Sequence, residues 1–466
     1  MPTPVIAIFD IGKTNKKVFL FNQQYRLEYE AAVQFNEIQD EDGCNCEDLD
    51  KLRTWLLDTL NQVLQLADYH IQAINFATYG ASFVYLNNQG EPLTPLYNYL
   101  KPYNASLLQQ FYATYGGQEA MALATASPVL GSLNSGMQLY RLKYEQPAVF
   151  AQTQSALHLP QYLHYLLTKQ LCTDITSIGC HTGLWHFELQ QYHYWVLNEQ
   201  ILPKLPPLVP SSTTYKGEYQ MQTIQIGVGL HDSSAALIPY LKSFSKPFVL
   251  LSTGTWCISL NPFNATTLTA SELAKDCLLF YTYQGQRVKA SRLFSGHELT
   301  LQSQLIAQHF GEDAADYQHM PYQPAIVEQL LLQNTAQPLP ILTKNDNGLA
   351  QSAFGLRALS QFVSSTYAYH QLLIDLVNLQ QWATQLVIQN SGVEQLYVDG
   401  GFGNNVIFMH LLAKAFPQLQ VFAASIPQAT ALGAALAIHP SWNNQPIATN
   451  LVTLQPYSTS IFNTEL

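Results

Sequence analysis

The feature that most constrains the fold is a unit of strand, glycine-bearing turn and strand that occurs twice in the chain. Near the start, the apolar run PVIAIF (4–9) leads into the turn DIGKTN and then into a second strand pattern, KKVFLF (16–21). Past the middle, PFVLL, the turn STGT and WCISL repeat the unit over 247–260. Because each half begins with the same local design, we expect two similar halves.

The length supports the same division. At 466 residues, the chain exceeds the roughly 250 to 300 residues at which single cores stop growing. The polar stretch KSFSKP (242–247) ends at a proline just before the second unit, so it is the best boundary. We therefore predict a first domain over 1–241, a second domain over 247–440 and a C-terminal tail over 441–466.

Hydrophobic periodicity predicts a mixed α/β pattern in both halves. The first half has predicted helices at 47–68, 104–114, 134–145 and 159–168, and predicted strands at 71–77 and 82–86. The second half has long helical periodicity over 352–390, a strand at 395–400 and a helix from 404 to 415, with Asn404 as its predicted N-cap. A cleft between two such domains is a favoured place for a ligand.

Composition excludes several classes of function. The formal net charge of −11 comes from 21 basic and 32 acidic residues, without a basic run, so we expect no nucleic-acid or anionic-membrane surface. No uninterrupted run of 18 apolar residues predicts a membrane span, and no export signal is visible at the start. The six cysteines are scattered, which is typical of a reducing compartment. We therefore expect a soluble cytoplasmic protein.

The first turn has the chemistry of an anion site. A tight glycine turn lets successive backbone N–H groups point at one phosphate, and neighbouring side chains add donors and positive charge. The candidate phosphate-binding residues are Gly12, Lys13, Thr14, Asn15 and Lys17. Asp10, at the strand end, is the candidate for holding Mg²⁺ through water. The alternative for this segment alone is an ordinary polar hairpin turn.

The second turn, STGTW, offers hydroxyl groups without charge. Thr253, Gly254 and Thr255 are its candidate phosphate contacts. Alone this turn is a weak signal, but two such turns heading two similar halves suit a triphosphate held from both walls of a cleft. The pair therefore favours phosphate binding over two unrelated hairpins.

A glycine loop follows the predicted strand at 395–400. Its sequence YVDGGFGNN gives Gly400, Gly401, Phe402, Asn404 and Asn405 as candidates for close approach to a nucleotide. The loop is not the GxGxxG of dinucleotide folds, and the chain contains no Walker GxxxxGK[ST] motif. A structural loop without a ligand is the alternative.

The segment GLHDSSAAL contains the candidate catalytic carboxylate, Asp232. Its position before an alanine-rich run predicts the start of a helix, and a capping role is the alternative for an isolated aspartate there. Phosphoryl transfer to a hydroxyl needs one carboxylate to accept the hydroxyl proton.

Taken together and in this order, these motifs resemble those of the FGGY carbohydrate kinases. DIGKTNKK resembles the first phosphate motif, LLSTGTW the second, YVDGGFGNN with ATALGAALA the adenosine region, and GLHDSSAAL the segment with the catalytic aspartate. The resemblance extends from residue 4 to about 440. It implies an α/β fold of two ribonuclease-H-like (actin/hexokinase-like) domains around a central cleft. It also implies ATP and Mg²⁺ as cofactors, with ATP on the second domain, the sugar on the first, and closure about a hinge.

Within the family, the chain is most similar to the rhamnulokinase branch, through INFATYGASFVYLNNQGEPL (74–93), VLGSLNSGMQLYRLKYEQP (129–147) and the His-Asp pair at 231–232. The resemblance implies sugar contacts from the first domain. The candidates are Thr78, Tyr79, Ser82, Asn134, His231 and Asp232. Where the branch usually has Thr-Trp-Gly-Val-Asp, this chain has Thr-Tyr-Gly-Ala-Ser, so a hydroxyl replaces an acidic contact.

The expected activity is therefore ATP-dependent phosphorylation of a small sugar, such as a deoxyketohexose or a ketopentose, with polyols left open. The expected partners are the sugar and ATP, and a homodimer is left open. Two alternatives remain: a nucleotide-driven ATPase of the chaperone-like or actin-like type, and a sugar sensor of the same superfamily that has lost its catalytic activity.

Overall fold

The structure is a computed structural model that describes residues 1–220, 222–344, 349–426, 428–448 and 450–458. The rest of the chain, including 449 and 459–466 of the predicted tail, lies outside the described residues.

Strands and helices alternate along the described chain. The strands are β1 Thr3–Ile11, β2 Asn15–Asn22, β3 Leu27–Gln34, β4 Ile38–Gln39, β5 Asn45–Cys46, β6 Tyr69–Thr78, β7 Phe83–Leu86, β8 Ser155–His158, β9 Thr173–Asp174, β10 Trp185–His186, β11 Gln191–Tyr192, β12 Leu208–Val209, β13 Thr214–Tyr219, β14 Gln222–Gly227, β15 Leu230–His231, β16 Phe248–Thr253, β17 Cys257–Asn261, β18 Cys277–Tyr281, β19 Arg287–Leu293, β20 Thr343–Lys344, β21 Ala350–Gln351, β22 Gln395–Gly400, β23 Gln420–Ser425 and β24 Thr453–Tyr457. The helices are α1 Leu49–Leu64, α2 Ala105–Thr114, α3 Gln118–Thr125, α4 Ser135–Glu145, α5 Pro147–Gln152, α6 Leu159–Thr168, α7 Ile175–Ile178, α8 Tyr194–Asn198, α9 Asp232–Ser243, α10 Ala270–Leu273, α11 Ser295–Phe310, α12 Pro324–Ala336, α13 Ser365–Ile388, α14 Val406–Ala415 and α15 Ala429–Ala437.

Each half contains a seven-stranded sheet built in a similar way. The first sheet has the order β13-β14-β6-β1-β2-β3, with β15 paired to β6. In it, β1 and β2 form the antiparallel hairpin, and β6 runs parallel to β1. The second sheet has the order β18-β19-β17-β16-β22-β23-β24, in which β16 and β17 are antiparallel and β22 is parallel to β16. The two hairpins therefore occupy corresponding places, which confirms the predicted fold class of two α/β domains.

Buried β-branched and aromatic residues explain the central position of β1. Its residues 5–9 are fully buried, as expected of a strand covered on both faces. Helix α1 packs on one side of it, where the Phe9 ring meets Trp55 at 5.7 Å between centroids. Helix α15 packs against β1 and β6, where Asn75 Nδ2 donates to the Ala434 carbonyl at 2.8 Å. The carboxyl end of this central strand, at Asp10, faces residues of the second half across a cavity.

The two halves are joined through a pair of helices and a strand. Helix α9 packs so closely on α15 that a Cβ at Gly433 would lie 1.8 Å from the Ala235 carbonyl oxygen. On strand β18, the Tyr281 carbonyl accepts a hydrogen bond from Ser234 Oγ at 2.8 Å, and its hydroxyl accepts one from Trp185 Nε1 at 3.1 Å. These contacts set the second domain directly against the helix that begins at Asp232.

The predicted start of the long helix in the second half was wrong. The helical periodicity begins at 352, but helix α13 begins at Ser365. The intervening chain forms two short 3₁₀ turns, Ala353–Leu356 and Leu359–Gln361. The Ser352 hydroxyl caps the first turn by accepting from Phe354 N, which favours a turn over a continuing helix.

The segment predicted as a C-terminal tail contributes a strand. Strand β24 pairs antiparallel with β23, with Thr453 opposite Ser425 and Tyr457 opposite Val421. The second sheet therefore includes residues beyond 440.

Candidate active site

The strand ends of the first sheet bring the predicted acidic residues together. Strands β1, β6 and β15 are parallel, with Asp10 opposite Ala77, Ile11 opposite Thr78, and His231 opposite Thr78. Because carboxyl ends of parallel strands meet at one edge of a sheet, Asp10 and Asp232 lie at the same edge, Asp232 being the residue after β15.

The two carboxylates interact electrostatically. Burial first, and the nearby Asp232 carboxylate second, raise the pKa of Asp10 to about 7 against the opposing effect of Lys17. Lys17 lies directly opposite Asp10 across the β1–β2 hairpin. Two neighbouring carboxylates that resist ionising together form a place where a divalent cation is favoured. In the described part of the chain, no group of three or more His, Cys, Asp or Glu side chains is arranged to hold a metal.

Asp232 is the first residue of helix α9 and does not cap it. The N-cap position belongs to His231, and no side chain makes a capping hydrogen bond there. Asp232 Oδ1 accepts from its neighbour Ser233 N at 2.6 Å and lies 3.3 Å from His231 Nε2. The side chain is 36% exposed. As an N-cap, Asp232 would accept from the backbone N–H of Ser234 or Ala235, and neither bond is present among the described residues. The capping alternative considered from sequence therefore lacks its defining contact.

His231 is held in place by residues that the sequence did not single out. Its ring Nε2 lies 3.1 Å from Cys180 Sγ, and its backbone N donates to Thr176 Oγ1 at 3.0 Å. Burial lowers the pKa of His231, which favours the neutral imidazole. With Nε2 carrying the proton toward the Asp232 carboxylate, Nδ1 is left with its lone pair. No motif surrounds Cys180, so only the fold reveals its contact.

The backbone at Gly80 lies close against the His231 ring. A Cβ at Gly80 would lie 2.8 Å from His231 Cδ2 and 3.0 Å from Nε2. We therefore expect Gly80→Ala to displace the imidazole and, with it, the orientation of Asp232, lowering kcat/KM by roughly 10 to 100-fold. Steady-state kinetics and thermal melting test this. Gly355→Ala is the matched control, since its Cβ would meet only Gln302 Nε2 at 3.7 Å. Unchanged kinetics in Gly80→Ala would mean that the ring position does not matter.

The first turn is built as predicted, but Lys13 points to an acidic partner. Gly12 N donates to Asn15 O at 2.9 Å and closes the turn, with Thr14 and Asn15 exposed at its tip. Lys13 Nζ lies 2.8 Å from Glu37 Oε1. Lys13 and Thr14 are both candidates for the contact to the outermost phosphate, and this geometry favours Thr14.

Lys16 supports this turn from below, a role that the sequence analysis missed. Its ammonium group, 2% exposed, donates to Glu47 Oε1 at 2.7 Å and to the Lys13 carbonyl at 2.9 Å. The alternation of inward- and outward-facing residues along β2 could have predicted this burial. Lys16 takes an inward-facing position between the exposed Asn15 and the half-buried Lys17.

The second turn and the glycine loop form one platform. Ser252 lies opposite Asp399 and Thr253 opposite Gly400 in the parallel β16–β22 pair. Thr253 Oγ1 donates to the Asp399 carbonyl at 2.6 Å and accepts from Phe402 N at 3.1 Å. The Thr253 hydroxyl thus ties the two loops together.

Two predicted nucleotide contacts in the glycine loop have structural roles. Phe402 is buried and packs on Phe408, with ring centroids 4.6 Å apart. Asn405 caps α14 through an Oδ1 that accepts from Phe408 N, so the predicted N-cap at Asn404 was wrong by one residue. Asn404 belongs to the short 3₁₀ turn Gly401–Asn404.

The glycines of these loops differ in what surrounds them. Apart from its chain neighbours, a Cβ at Gly254 or at Gly401 would have no atom of the described residues within 4 Å, so the space above both is open. Gly400 instead has φ +91°, and a Cβ there would lie 1.9 Å from the Thr253 carbonyl oxygen. Gly254 and Gly401 therefore offer approachable backbone, whereas Gly400 is required by the fold.

A cleft of about 280 Å³ lies between the strand end of the first domain and this platform. Its lining consists of Asp10, Ala236, Ser252, Asp399, Gly400, Ile426, Gln428, Ala429 and Thr430. Asp10 thus faces the loops that are predicted to hold phosphate, and its carboxylate oxygens are the kind of ligand that a hydrated Mg²⁺ would take.

The predicted sugar contacts lie near the end of β6. They differ in whether their polar groups are already hydrogen-bonded within the protein or are free to bind a sugar. Thr78 Oγ1 donates to the Tyr79 carbonyl at 2.8 Å, and the Tyr79 ring is buried and packs against Tyr99. Asn134 is engaged on both sides, accepting from Leu130 N and donating to the His181 carbonyl. Ser82 Oγ is buried without a hydrogen-bond partner among the residues that the structure describes.

Comparison with known proteins now identifies the family. Residues 5–238 match the FGGY family of carbohydrate kinases, N-terminal domain, and residues 245–446 match the carbohydrate kinase FGGY, C-terminal domain. The chain belongs to the FGGY family of carbohydrate kinases. The resemblance drawn from the motifs is thereby confirmed.

Relatives and solved structures agree with this placement. The FGGY chain is 25% identical over 270 residues to a rhamnulokinase of Yersinia pestis (strain Pestoides F), covering 54% of this chain and 53% of that protein. It thus spans about half the length of that curated relative. A carbohydrate kinase from Novosphingobium aromaticivorans superposes with a TM-score of 0.80 at 22% identity, covering 98% and 95% of the two chains. A ligand-bound xylulose kinase from Lactobacillus acidophilus superposes with a TM-score of 0.79 at 16% sequence identity, covering 98% of this chain and 94% of that chain. These structures confirm the actin/hexokinase-like fold.

Within the described residues, no helix combines the length and the apolar character needed to cross a bilayer.

Proposed function

We propose that this FGGY protein transfers the terminal phosphoryl group of ATP to a hydroxyl of a small sugar. The observation that carries the proposal is the pairing of Asp10 with Asp232 at one sheet edge, where Asp10 also faces the glycine platform across the cleft. One carboxylate serves the nucleotide side and the other serves the acceptor hydroxyl.

Asp232 accepts the proton of the sugar hydroxyl as that oxygen bonds to phosphorus and the bond to the ADP oxygen breaks. His231 orients the carboxylate through the 3.3 Å contact between Nε2 and Oδ1. The Asp232 side chain is 36% exposed, which leaves its carboxylate accessible to a substrate hydroxyl.

Asp10 holds the hydrated Mg²⁺ in this proposal, and the two turns hold the phosphates. Bound Mg²⁺ supplies positive charge that offsets the charge of the phosphate oxygens. Gly12, Thr14 and Asn15 approach from the first turn, and Gly254 and Thr255 approach from the second. Lys17 adds a cationic group beside Asp10.

The substrate is proposed to be a neutral ketose, such as a deoxyketohexose or a ketopentose. The rhamnulokinase name of the curated relatives supports a ketose, and the xylulose kinase among the similar structures is named for a ketopentose. Residues 1–241 would bind the sugar and residues 247–440 would bind ATP, with closure excluding water from the transfer.

Gly401 tests the assignment of ATP to the second domain. We expect Gly401→Val to raise the KM for ATP about tenfold, with little change in the KM for the sugar and in Tm. The valine side chain would fill space that no described part of the protein occupies, so it would obstruct a bound nucleotide without straining the fold. Gly400→Val is the contrasting variant, since its Cβ would clash with Thr253 and destabilise the fold. Equal increases in both KM values for Gly401→Val would contradict the assignment.

A coupled ADP-release screen over ketoses, aldoses and polyols tests the proposed activity. We expect ADP release to depend on one small group of related compounds. ATP hydrolysis that no compound accelerates would instead favour a chaperone-like or actin-like ATPase, and sugar binding without ADP release would favour an inactive sensor.

A further inference from the structure

Gln138, on helix α4, is a buried side chain whose amide is only half satisfied. It is 1% exposed. Its Nε2 donates to the carbonyls of Ala81 and Ser132, both at 2.6 Å. These bonds use both amide hydrogens and fix which end of the amide is oxygen. Oε1 has no hydrogen-bond partner within the described chain.

A buried acceptor without a donor is costly, so a donor supplied by an ordered water or by a ligand would stabilise it. Nδ1 of the neutral His231 is also buried and unpartnered among the described residues, and it carries a lone pair when Nε2–H faces Asp232. Ser82 Oγ, next to the Ala81 carbonyl that Gln138 binds, is the third such atom. His158 Nδ1 is the fourth, on a ring that stacks on Phe83 at 3.9 Å.

The residues that carry these four atoms either contact the segment 80–83 that follows β6 or, as with Ser82, belong to it. Gln138 reaches it through Ala81, His158 through Phe83, and His231 through its approach to Gly80. The segment leads from the strand edge that carries the candidate catalytic aspartate. Two of the four atoms, Gln138 Oε1 and His231 Nδ1, can only accept hydrogen bonds in this arrangement.

We infer that Gln138 is a specificity-determining residue of the sugar site, where its Oε1 accepts a hydrogen bond from a hydroxyl of the substrate. The inference rests on the proposed function, in that a small sugar binds the first domain. Acceptors require donors, so the subsite takes neutral polyhydroxyl compounds. A sugar acid would set its carboxylate oxygens against the amide oxygen and is rejected.

Calorimetric binding to the full chain tests the inference without requiring turnover. The probes are xylulose, ribulose and rhamnulose, their singly deoxygenated analogues, and the matched pairs ribitol with ribonate and arabinitol with arabinonate. In the wild type, we expect each neutral member of a pair to bind more tightly than its acid. We expect Gln138→Met to weaken binding of the best neutral compound about three- to tenfold, the loss of one hydrogen bond.

The deoxy analogues separate a direct contact from a structural role. One analogue, lacking the hydroxyl that Gln138 contacts, should bind wild type and Gln138→Met equally. Gln161→Met is the matched control, because Gln161 Nε2 likewise donates to two carbonyls, those of Val228 and Gly229, and its Oε1 is likewise unpartnered among the described residues, but it does not bond to the segment 80–83. With Gln161→Met, the loss of affinity caused by removing each sugar hydroxyl should be the same as with the wild type.

Several results would overturn the inference. In the first, removing a sugar hydroxyl and replacing Gln138 weaken binding independently for every deoxy analogue. In the second, the acids bind more tightly than their neutral partners, and in the third, no neutral probe binds to the wild type. If Gln138→Met fails to fold, the neutral and acid pairs on the wild type decide the question. Tight neutral binding without ADP formation would contradict the proposed phosphoryl transfer and leave the role of Gln138 standing.

Discussion

Asp232→Asn is expected to lower turnover by roughly 10² to 10⁴-fold while the protein remains folded and binds both substrates. The amide cannot accept the proton of the sugar hydroxyl. It can, however, accept the same hydrogen bond from Ser233 N as the carboxylate does and keep the 3.3 Å approach of His231 Nε2 to Oδ1. Since Asp232 does not cap α9, we expect the free energy of unfolding to change by less than about 1 kcal/mol.

Steady-state kinetics, calorimetric binding and thermal melting together measure these expectations. Asp48→Asn is the matched control, because Asp48 also stands at a helix start in the first domain, where it caps α1. The control should leave turnover unchanged. Near wild-type turnover in Asp232→Asn would remove Asp232 as the base and bring the ATPase alternative to the front.

Asp10→Asn should lower kcat/KM by roughly 10²-fold and raise the Mg²⁺ concentration needed for half-maximal rate. The same change should stabilise the metal-free protein. Because the folded-state pKa of Asp10 is raised to about 7, its ionisation costs folding free energy above the unfolded value near 3.8, and the full cost is present above pH 7. At pH 8, the variant should be more stable than wild type by at least about 1 kcal/mol.

That advantage should shrink as the pH falls from 7 toward 4, where the Asp10 carboxyl becomes protonated in both states. Chemical denaturation at pH 8, 6 and 4 without metal, with kinetics across a Mg²⁺ titration, measures both effects. Asp58→Asn, at an exposed position of α1, should change neither. Unchanged Mg²⁺ dependence in Asp10→Asn would remove Asp10 from the metal role.

The sequence predicted the parts of this fold that depend on neighbouring residues. The two hairpins, the strand that ends at Gly400 and helices α2, α4, α6 and α14 follow from local periodicity and glycine turns. The periodicity of 352–364 misplaced the start of α13, because the Ser352 hydroxyl caps a 3₁₀ turn there and Arg357 pairs with Asp375 on α13 instead of continuing a helix.

The finer features of the site depend on contacts between distant residues. The pairing of Lys13 with Glu37, the contact of Cys180 with His231 and the bonds from Gln138 to Ala81 each join separate elements. From turn composition alone, Lys13 is predicted to contact a phosphate. The sequence does not show that the Glu37 carboxylate lies beside the Lys13 ammonium group. Sequence can therefore supply the motif residues, whereas their availability to a ligand comes from the tertiary structure.

The most direct test of phosphoryl transfer follows the phosphorus atom itself. ATP labelled with ³²P at its terminal phosphate is incubated with Mg²⁺, the purified protein and the best compound of the screen, and the sugar is then isolated. The proposed function predicts label in the sugar in a 1:1 ratio with ADP, and none with Asp232→Asn. Label that appears only as inorganic phosphate, whether or not the sugar is present, would contradict it.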